Sequence, residues 1–208
     1  MPIPLLIFPC NGNAIEALDC LGERFRLIGF VDDSADKVGT ERFGKPVLSR
    51  SAFEAYPEAK VLAVPGSPAS YRNREVVVAG LGVSDDRFAT VIHPAARVSP
   101  LASVGFNVLI MAGVVITSNV EIGNHICILP NTVIHHDASI GDWSLIGSNV
   151  TIAGSVAVGA NSYIGSGTSV INGIRIGEGA LLGIGSNVLR EVAPHTTVAG
   201  NPARQLRG

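Results

Sequence analysis

The chain has 208 residues, a formal net charge of −2 and only 15% charged residues, against a usual share of roughly 25%. That balance offers no basic field for nucleic acid, and no apolar run approaches the ~18–20 residues that a membrane span needs. Gly is abundant at 24 residues and 47% of the chain is hydrophobic, a composition of many turns, many strands and a large buried surface.

The first ninety residues alternate apolar runs with short helical patterns. Ile3–Phe8 reads as a strand, Pro9–Asn13 as a turn and Ala14–Leu21 as a helix. Leu27–Val31 reads as a second strand ending at Asp32-Asp33. Val61–Val64 reads as a third, followed by Pro65-Gly66-Ser67-Pro68 and a helix running to about Leu81. Strands alternating with helices predict a small Rossmann-like parallel α/β domain over residues 1–90. Ligands on such sheets sit at the carboxyl ends of the strands. The candidate binding residues are therefore Asn11, Gly12, Asn13, Asp32, Asp33 and Gly66.

From Ile92 a period of six takes over. Stepping by six from Ile92 to Val188, all seventeen positions are Ile, Val or Leu, with no slip of register. Such regularity is the mark of a parallel β-helix. Three residues after each aliphatic, Asn (Asn107, Asn119, Asn131, Asn149, Asn161) or Gly (Gly113, Gly167, Gly173, Gly179, Gly185) recurs. These types enter left-handed backbone most cheaply, so each repeat is expected to turn there. Two residues before each aliphatic, small or β-branched residues such as Thr132, Ser144 and Thr168 predict a second inward column.

One polar cluster breaks this pattern, Ile134-His135-His136-Asp137. By register His136 stands at an outward corner and Asp137 in the left-handed slot. A corner needs no imidazole. A neutral imidazole titrates near ~6.5 and can take a proton at physiological pH, and an adjacent carboxylate stabilises the imidazolium and orients the ring. The cysteines Cys10, Cys20 and Cys127 are odd in number and lack metal-ligand spacing. They fit a reduced, cytoplasmic setting. The start, Met1-Pro2-Ile3-Pro4, has no basic stretch leading into a long apolar one, so no signal peptide is expected.

From about residue 92 onward the sequence resembles the hexapeptide-repeat acyltransferases. The whole chain is similar to their sugar-nucleotide branch, the bacillosamine and perosamine N-acetyltransferases and the sialic acid O-acetyltransferases. Phe30-Val31-Asp32-Asp33, Ile92-His93-Pro94, Val133–Asp137 and Gly200-Asn201-Pro202-Ala203-Arg204 carry that likeness. The resemblance implies a left-handed β-helix with eighteen residues per three-sided coil over residues 91–208, which binds acetyl-CoA. The α/β domain would then take a nucleotide-linked sugar. It implies His136 as general base, Asp137 as the neighbour that raises its basicity, and the Gly154 N–H as donor to the thioester oxygen. It implies Leu145, Gly154 and Ser166 along the coenzyme path, a homotrimer that shares the coenzyme between subunits, and no metal. Transfer would run to the sugar amine by direct attack, with no acyl-enzyme.

The nucleotide loop departs from the family's Gly-His-Gly. Pro9-Cys10-Asn11-Gly12-Asn13-Ala14 keeps Gly12 but has Asn13 where His is usual, leaving fewer glycines for backbone to approach a phosphate. Three other readings compete. A sugar O-acetyltransferase would use the same base. A γ-class carbonic anhydrase would need three converging His, and His125, His135 and His136 do not share a slot of the repeat. A non-catalytic β-helical scaffold with a ligand-sensing domain would have no need of His136.

Overall fold

The computed structural model describes residues 1–206, so Arg207 and Gly208, the last two residues of the expected second domain, lie outside the described residues. β1 (Ile3–Phe8), β2 (Phe25–Val31), β4 (Lys45–Leu48) and β5 (Lys60–Ala63) form a sheet in the order β4-β2-β1-β5, all parallel. A two-residue strand, β3 (Glu41–Arg42), pairs antiparallel with β4 at the far edge. The sheet is therefore mixed, not purely parallel. β3 and β4 escape sequence reading because Glu41–Leu48 has neither an apolar run nor alternation. A short helix, Ala52–Ala55, links β4 to β5.

The expected first helix is also shorter and split. α1 covers Gly12–Glu16 and passes into a 3₁₀ turn at Ala17–Cys20. Asn11 caps α1, its Oδ1 accepting from the Ala14 N–H at 2.9 Å. The later helix is likewise a 3₁₀ turn, Tyr71–Asn73, continued by α-helix Arg74–Ala79.

From Val91 to Val188 the chain winds into three sheets of parallel two-residue strands, the arrangement of a left-handed β-helix, and Thr197–Gly200 with antiparallel Ala203–Gln205 extends one of them. Each strand pairs with the one eighteen residues on: Ile116 with Ile134, Ile134 with Ile152, Ile146 with Ile164. The aliphatic column from Ile110 to Val188 is buried and forms one continuous core. Its beginning is different, because Ile92 is 38% exposed at the open end of the first coil. The inward small column is also present: Thr132, Ser144, Thr168 and Ser186 are completely buried. Their hydroxyls stitch successive coils together, as where Thr132 Oγ1 donates to the Gly147 carbonyl and accepts from the Val150 N–H. Each of these bonds satisfies a group whose isolation inside the prism costs about 1–3 kcal/mol.

All ten Asn and Gly residues of the turning column have positive φ, from 53° at Asn107 to 74° at Gly173. His125, Asp137, Trp143 and Ser155 occupy the same slot with φ between 58° and 67°. The glycine following each aliphatic serves a different need, close stacking: a Cβ on Gly147 would stand 2.5 Å from the Ser166 nitrogen of the next coil.

One face of the prism, carrying Val91, Leu109, Cys127 and Leu145, packs into the same apolar cluster as β1, β2 and β5. Polar groups fasten this seam. The Asn107 amide accepts from the Ala63 N–H at 2.8 Å and donates to the Ala63 carbonyl at 3.0 Å, pairing both backbone groups on the edge strand β5. Arg74 is 1% exposed and donates to the carbonyls of Trp143, Pro65 and His125. Burial pushes its pKa down, but a guanidinium stays protonated.

Candidate active site

The coil carries its eighteen-residue repeat into three edges. On the edge between the face of Val133–Ile134 and the face of Ser139–Ile140, the chain brings Asn119, His136, Asp137 and Gly154 together. His136 and Asp137 have side chains 64% and 52% exposed, with His136 Nδ1 2.7 Å from Asp137 Oδ2. A carboxylate accepts, so Nδ1 carries the proton and Nε2 keeps its lone pair free. The hydrogen bonds from His136 and then from Asn119 hold the Asp137 carboxyl below the usual carboxylate range, and hence ionised.

Gly154 lies one coil above. A Cβ placed on it would stand 2.7 Å from His136 Cε1 and 2.8 Å from Nε2. The imidazole therefore rests on the bare backbone of Gly154, and no other residue type leaves that room. The Gly154 N–H donates to no acceptor among the described residues, while the neighbouring Ser155 N–H is taken by the His136 carbonyl at 2.9 Å. On the other two edges some comparable N–H groups are capped by side chains, Asn124 by Asp142 Oδ1 and Ser148 by Ser166 Oγ, while those of Asp142, Ala160 and Ser166 have no acceptor among the described residues, so what sets Gly154 apart is the imidazole beside it. A free N–H beside a lone-pair imidazole nitrogen is a geometry for taking a proton while stabilising a developing oxyanion.

The remaining expected residues separate into three places. Asn13 and Gly66 line a cleft of about 210 Å³ with Ser67, Pro68, Leu129, Leu145, Gly147 and Tyr163. It opens where the carboxyl ends of β1 and β5 meet the prism, on the edge next to that of His136. Leu145, expected on the coenzyme path, is 6% exposed and forms the wall of this cleft. Gly66 fits there at φ 117°, with Leu145 and Arg74 side-chain carbons 3.1 Å from where its Cβ would be. Ser166 stands on the same edge as the cleft, one coil above Ser148. Gly154 is thus the one coenzyme candidate beside His136.

Asn11 ties the loops together, donating to the Val64 carbonyl at 3.1 Å as well as capping α1. Gly12 faces open space. The two aspartates, candidate binding residues at a strand end, already have partners within the chain. Asp32 is buried, accepts from the Cys10 and Ser34 N–H groups and pairs with Lys37 at 3.0 Å. Asp33 is held by Arg50 through two bonds of 2.6 and 2.7 Å, which keep its pKa below the ordinary value. A ligand would reach Asp33 in competition with Arg50, and Asp32 with its Cys10, Ser34 and Lys37 partners. Lys37 and Arg50 gave no motif by which sequence could pair them.

His125 is buried on the third edge, its Nδ1 2.8 Å from Asn107 Nδ2 and its ring stacked on Trp143 at 3.8 Å. His135 lies beside His136 but makes no side-chain hydrogen bond among the described residues. Among the described residues no three His, Cys, Asp or Glu side chains are arranged to hold a metal ion, and no helix is long and apolar enough to cross a membrane.

The bacterial transferase hexapeptide family (six repeats) matches residues 101–134 and 127–154. The perosamine N-acetyltransferase PerB of Caulobacter crescentus, solved with CoA and GDP-perosamine, superposes over 100% of this chain and 98% of its own, with TM-score 0.84 and 27% identity. The chain carries the bacterial transferase hexapeptide repeat and shares the fold of this N-acetyltransferase along its whole length. WeeI of Acinetobacter baumannii matches over 99% of this chain and 100% of its own at 25% identity and TM-score 0.82. The acetyltransferase domain of PglB from Neisseria gonorrhoeae, solved with acetyl coenzyme A, shares the fold at 23% identity and TM-score 0.85. No curated protein sequence matches the chain.

Proposed function

We propose that this protein transfers acetyl from acetyl-CoA to the amine of a nucleotide-linked amino sugar, with residues 91–208 taking the coenzyme and residues 1–90 the sugar nucleotide. The observation that carries the reading is the group on one coil edge: His136 with its Nδ1 proton on Asp137, its Nε2 free, and its ring on Gly154, whose N–H has no acceptor among the described residues. Full-length likeness to an enzyme named for perosamine N-acetylation supports the donor and acceptor classes.

In this mechanism the amine attacks the thioester carbon. His136 Nε2 takes the proton that the nitrogen must lose as the C–N bond forms. The Gly154 N–H donates to the thioester oxygen while it carries charge. The C–S bond then breaks, and His136 returns its proton to the departing sulfur. Asp137 stabilises the transient imidazolium. General-base assistance of this kind is worth about 10²–10⁴-fold, and a single oxyanion donor about 10²–10³-fold. Neither needs an acyl-enzyme.

The cleft with Asn13 and Gly66 sits on the edge next to that of His136, so one chain does not place the two side by side. A homotrimer of prisms, each cleft facing the His136 edge of a neighbour, completes the site in this reading. The setting is cytoplasmic, where acetyl-CoA is made available. The test is thiol release from acetyl-CoA against a panel of amino-sugar nucleotides, neutral-sugar nucleotides and free sugars. Turnover confined to an amino-sugar nucleotide supports the proposal. Turnover confined to a neutral sugar makes it an O-acetyltransferase, and failure to bind acetyl-CoA removes the acyltransfer reading.

A further inference from the structure

The geometry points to Asn119 as a positioning residue that holds the Asp137 carboxylate for His136, an inference that rests on His136 being the base. Asn119 lies one coil below Asp137 on the same edge, eighteen residues earlier, and its Nδ2 is 3.2 Å from Asp137 Oδ1. The other carboxylate oxygen, Oδ2, accepts from His136 Nδ1 at 2.7 Å. Three successive coils thus form one vertical chain: Asn119 donates to Asp137, Asp137 accepts from His136, and His136 rests on Gly154. The direction is fixed by chemistry, since an ionised carboxylate only accepts and the amide must turn its NH₂ toward it.

A left-handed corner explains an Asn at this position but not where its amide points. Asn119 has φ 58°, a conformation that Gly meets at least as well. Other Asn residues of the column spend their amides elsewhere, Asn107 on the β5 edge and Asn161 on the Arg72 carbonyl. Asn119 alone among the described members of this column donates to a carboxylate.

The need for such a brace follows from exposure. With side chains 52% and 64% open to solvent, Asp137 and His136 have little packing to hold their rotamers. A carboxylate gripped at one oxygen swings about its χ angles. Gripped at both, it presents Oδ2 at one place, keeps the proton on His136 Nδ1 and leaves Nε2 pointing the same way. Holding a catalytic group in one orientation affects turnover and leaves coenzyme affinity untouched.

The experiment is a double-mutant cycle with Asn119→Gly and Asp137→Ala, scored by turnover and by KM for acetyl-CoA, with His136→Ala alongside. Gly keeps the corner conformation and removes only the donor, so the melting temperature is expected to hold. In the Asp137 background, Asn119→Gly is expected to lower kcat on the order of 10-fold or somewhat less, with KM for acetyl-CoA within about twofold, since one hydrogen bond to an exposed charge is lost. In the Asp137→Ala background the same change is expected to do nothing, because the brace has nothing to hold. Full turnover in Asn119→Gly overturns the inference. So does an equal fold-loss in both backgrounds, which would mean Asn119 acts by another route. Full turnover in His136→Ala would instead remove the base, and the brace with it.

Discussion

Gly154→Ala is the smallest perturbation that tests the site's geometry. The added methyl would stand 2.7 Å from His136 Cε1 and 2.8 Å from Nε2, whereas ordinary carbon contacts begin near ~3.5 Å. The imidazole has to retreat by roughly 0.7 Å, and its Nε2 is the atom pushed. Gly154 has no positive φ, so Ala is tolerated by the backbone, and its N–H stays available as a donor. A displacement near 1 Å costs about 10²-fold when it falls on a reacting group, so a fall in kcat of roughly 10–10²-fold is expected at unchanged melting temperature. The assay is steady-state thiol release, run with His136→Ala and the double variant. If the methyl acts by moving the base, the double variant turns over like His136→Ala alone. Full activity in Gly154→Ala, or a further large loss in the double variant, would refute the claim that the ring needs that bare backbone.

His136→Ala itself should reduce turnover by ~10²-fold or more with acetyl-CoA binding retained by calorimetry. Arg74→Ala should be costly, since it strands the buried carbonyls of Trp143, Pro65 and His125. A loss on the order of 3 kcal/mol corresponds to a fall of roughly 6–12 °C in melting temperature, and Arg74→Lys should not restore it, because one ammonium lacks the planar fork. His125 gives a pH signature. Burial, then Arg74, pushes its pKa from 6.5 to about 4, so the unfolded chain takes up the proton first. The stability it protects is complete above pH ~6.5 and is lost as pH falls toward about 4, by up to about 3 kcal/mol. Denaturant midpoints across that window should fall less steeply in His125→Asn than in the parent.

The coil was legible because its constraint is local and repeated. Each Ile or Val in the six-residue column has to point inward and each left-handed corner has to be cheap, so Ile134, Asn131 and Gly173 declare their places one at a time. The corner residues that break the rule show what local reading misses. His125 and Trp143 take positive φ, a strained choice for bulky side chains, because their rings stack on each other at 3.8 Å and the His125 ring meets Phe88 and Phe106 edge-on at 5.2 and 4.9 Å. That compensation comes from residues far away in sequence. The same holds for the α/β part. The apolar runs of β1, β2 and β5 stood out, whereas β3 and β4 exist only because β2 offers them an edge. The partners of the candidate binding residues Asp32 and Asp33 were not legible, because nothing in the sequence brings Lys37 and Arg50 to them.

In the proposed acyl transfer, the seam also bears on how the cleft and the His136 edge are held. His136 sits on a prism whose coils are locked to each other every eighteen residues, so its position is set by the stack and not by a loop. The cleft with Asn13 and Gly66 is set by strand ends of the sheet. Arg74 and Asn107 bind sheet to prism through backbone groups alone, at Pro65, His125, Trp143 and Ala63. Backbone contacts fix distance without depending on which side chains line the cleft. Substituting Asn13, Ser67 or Tyr163 can therefore change what the cleft admits while leaving its distance from the coil unchanged. Under the proposed acyl transfer, a fold arranged this way can change its acceptor by replacing a few cleft residues such as Asn13 while the His136-Asp137 pair stays intact.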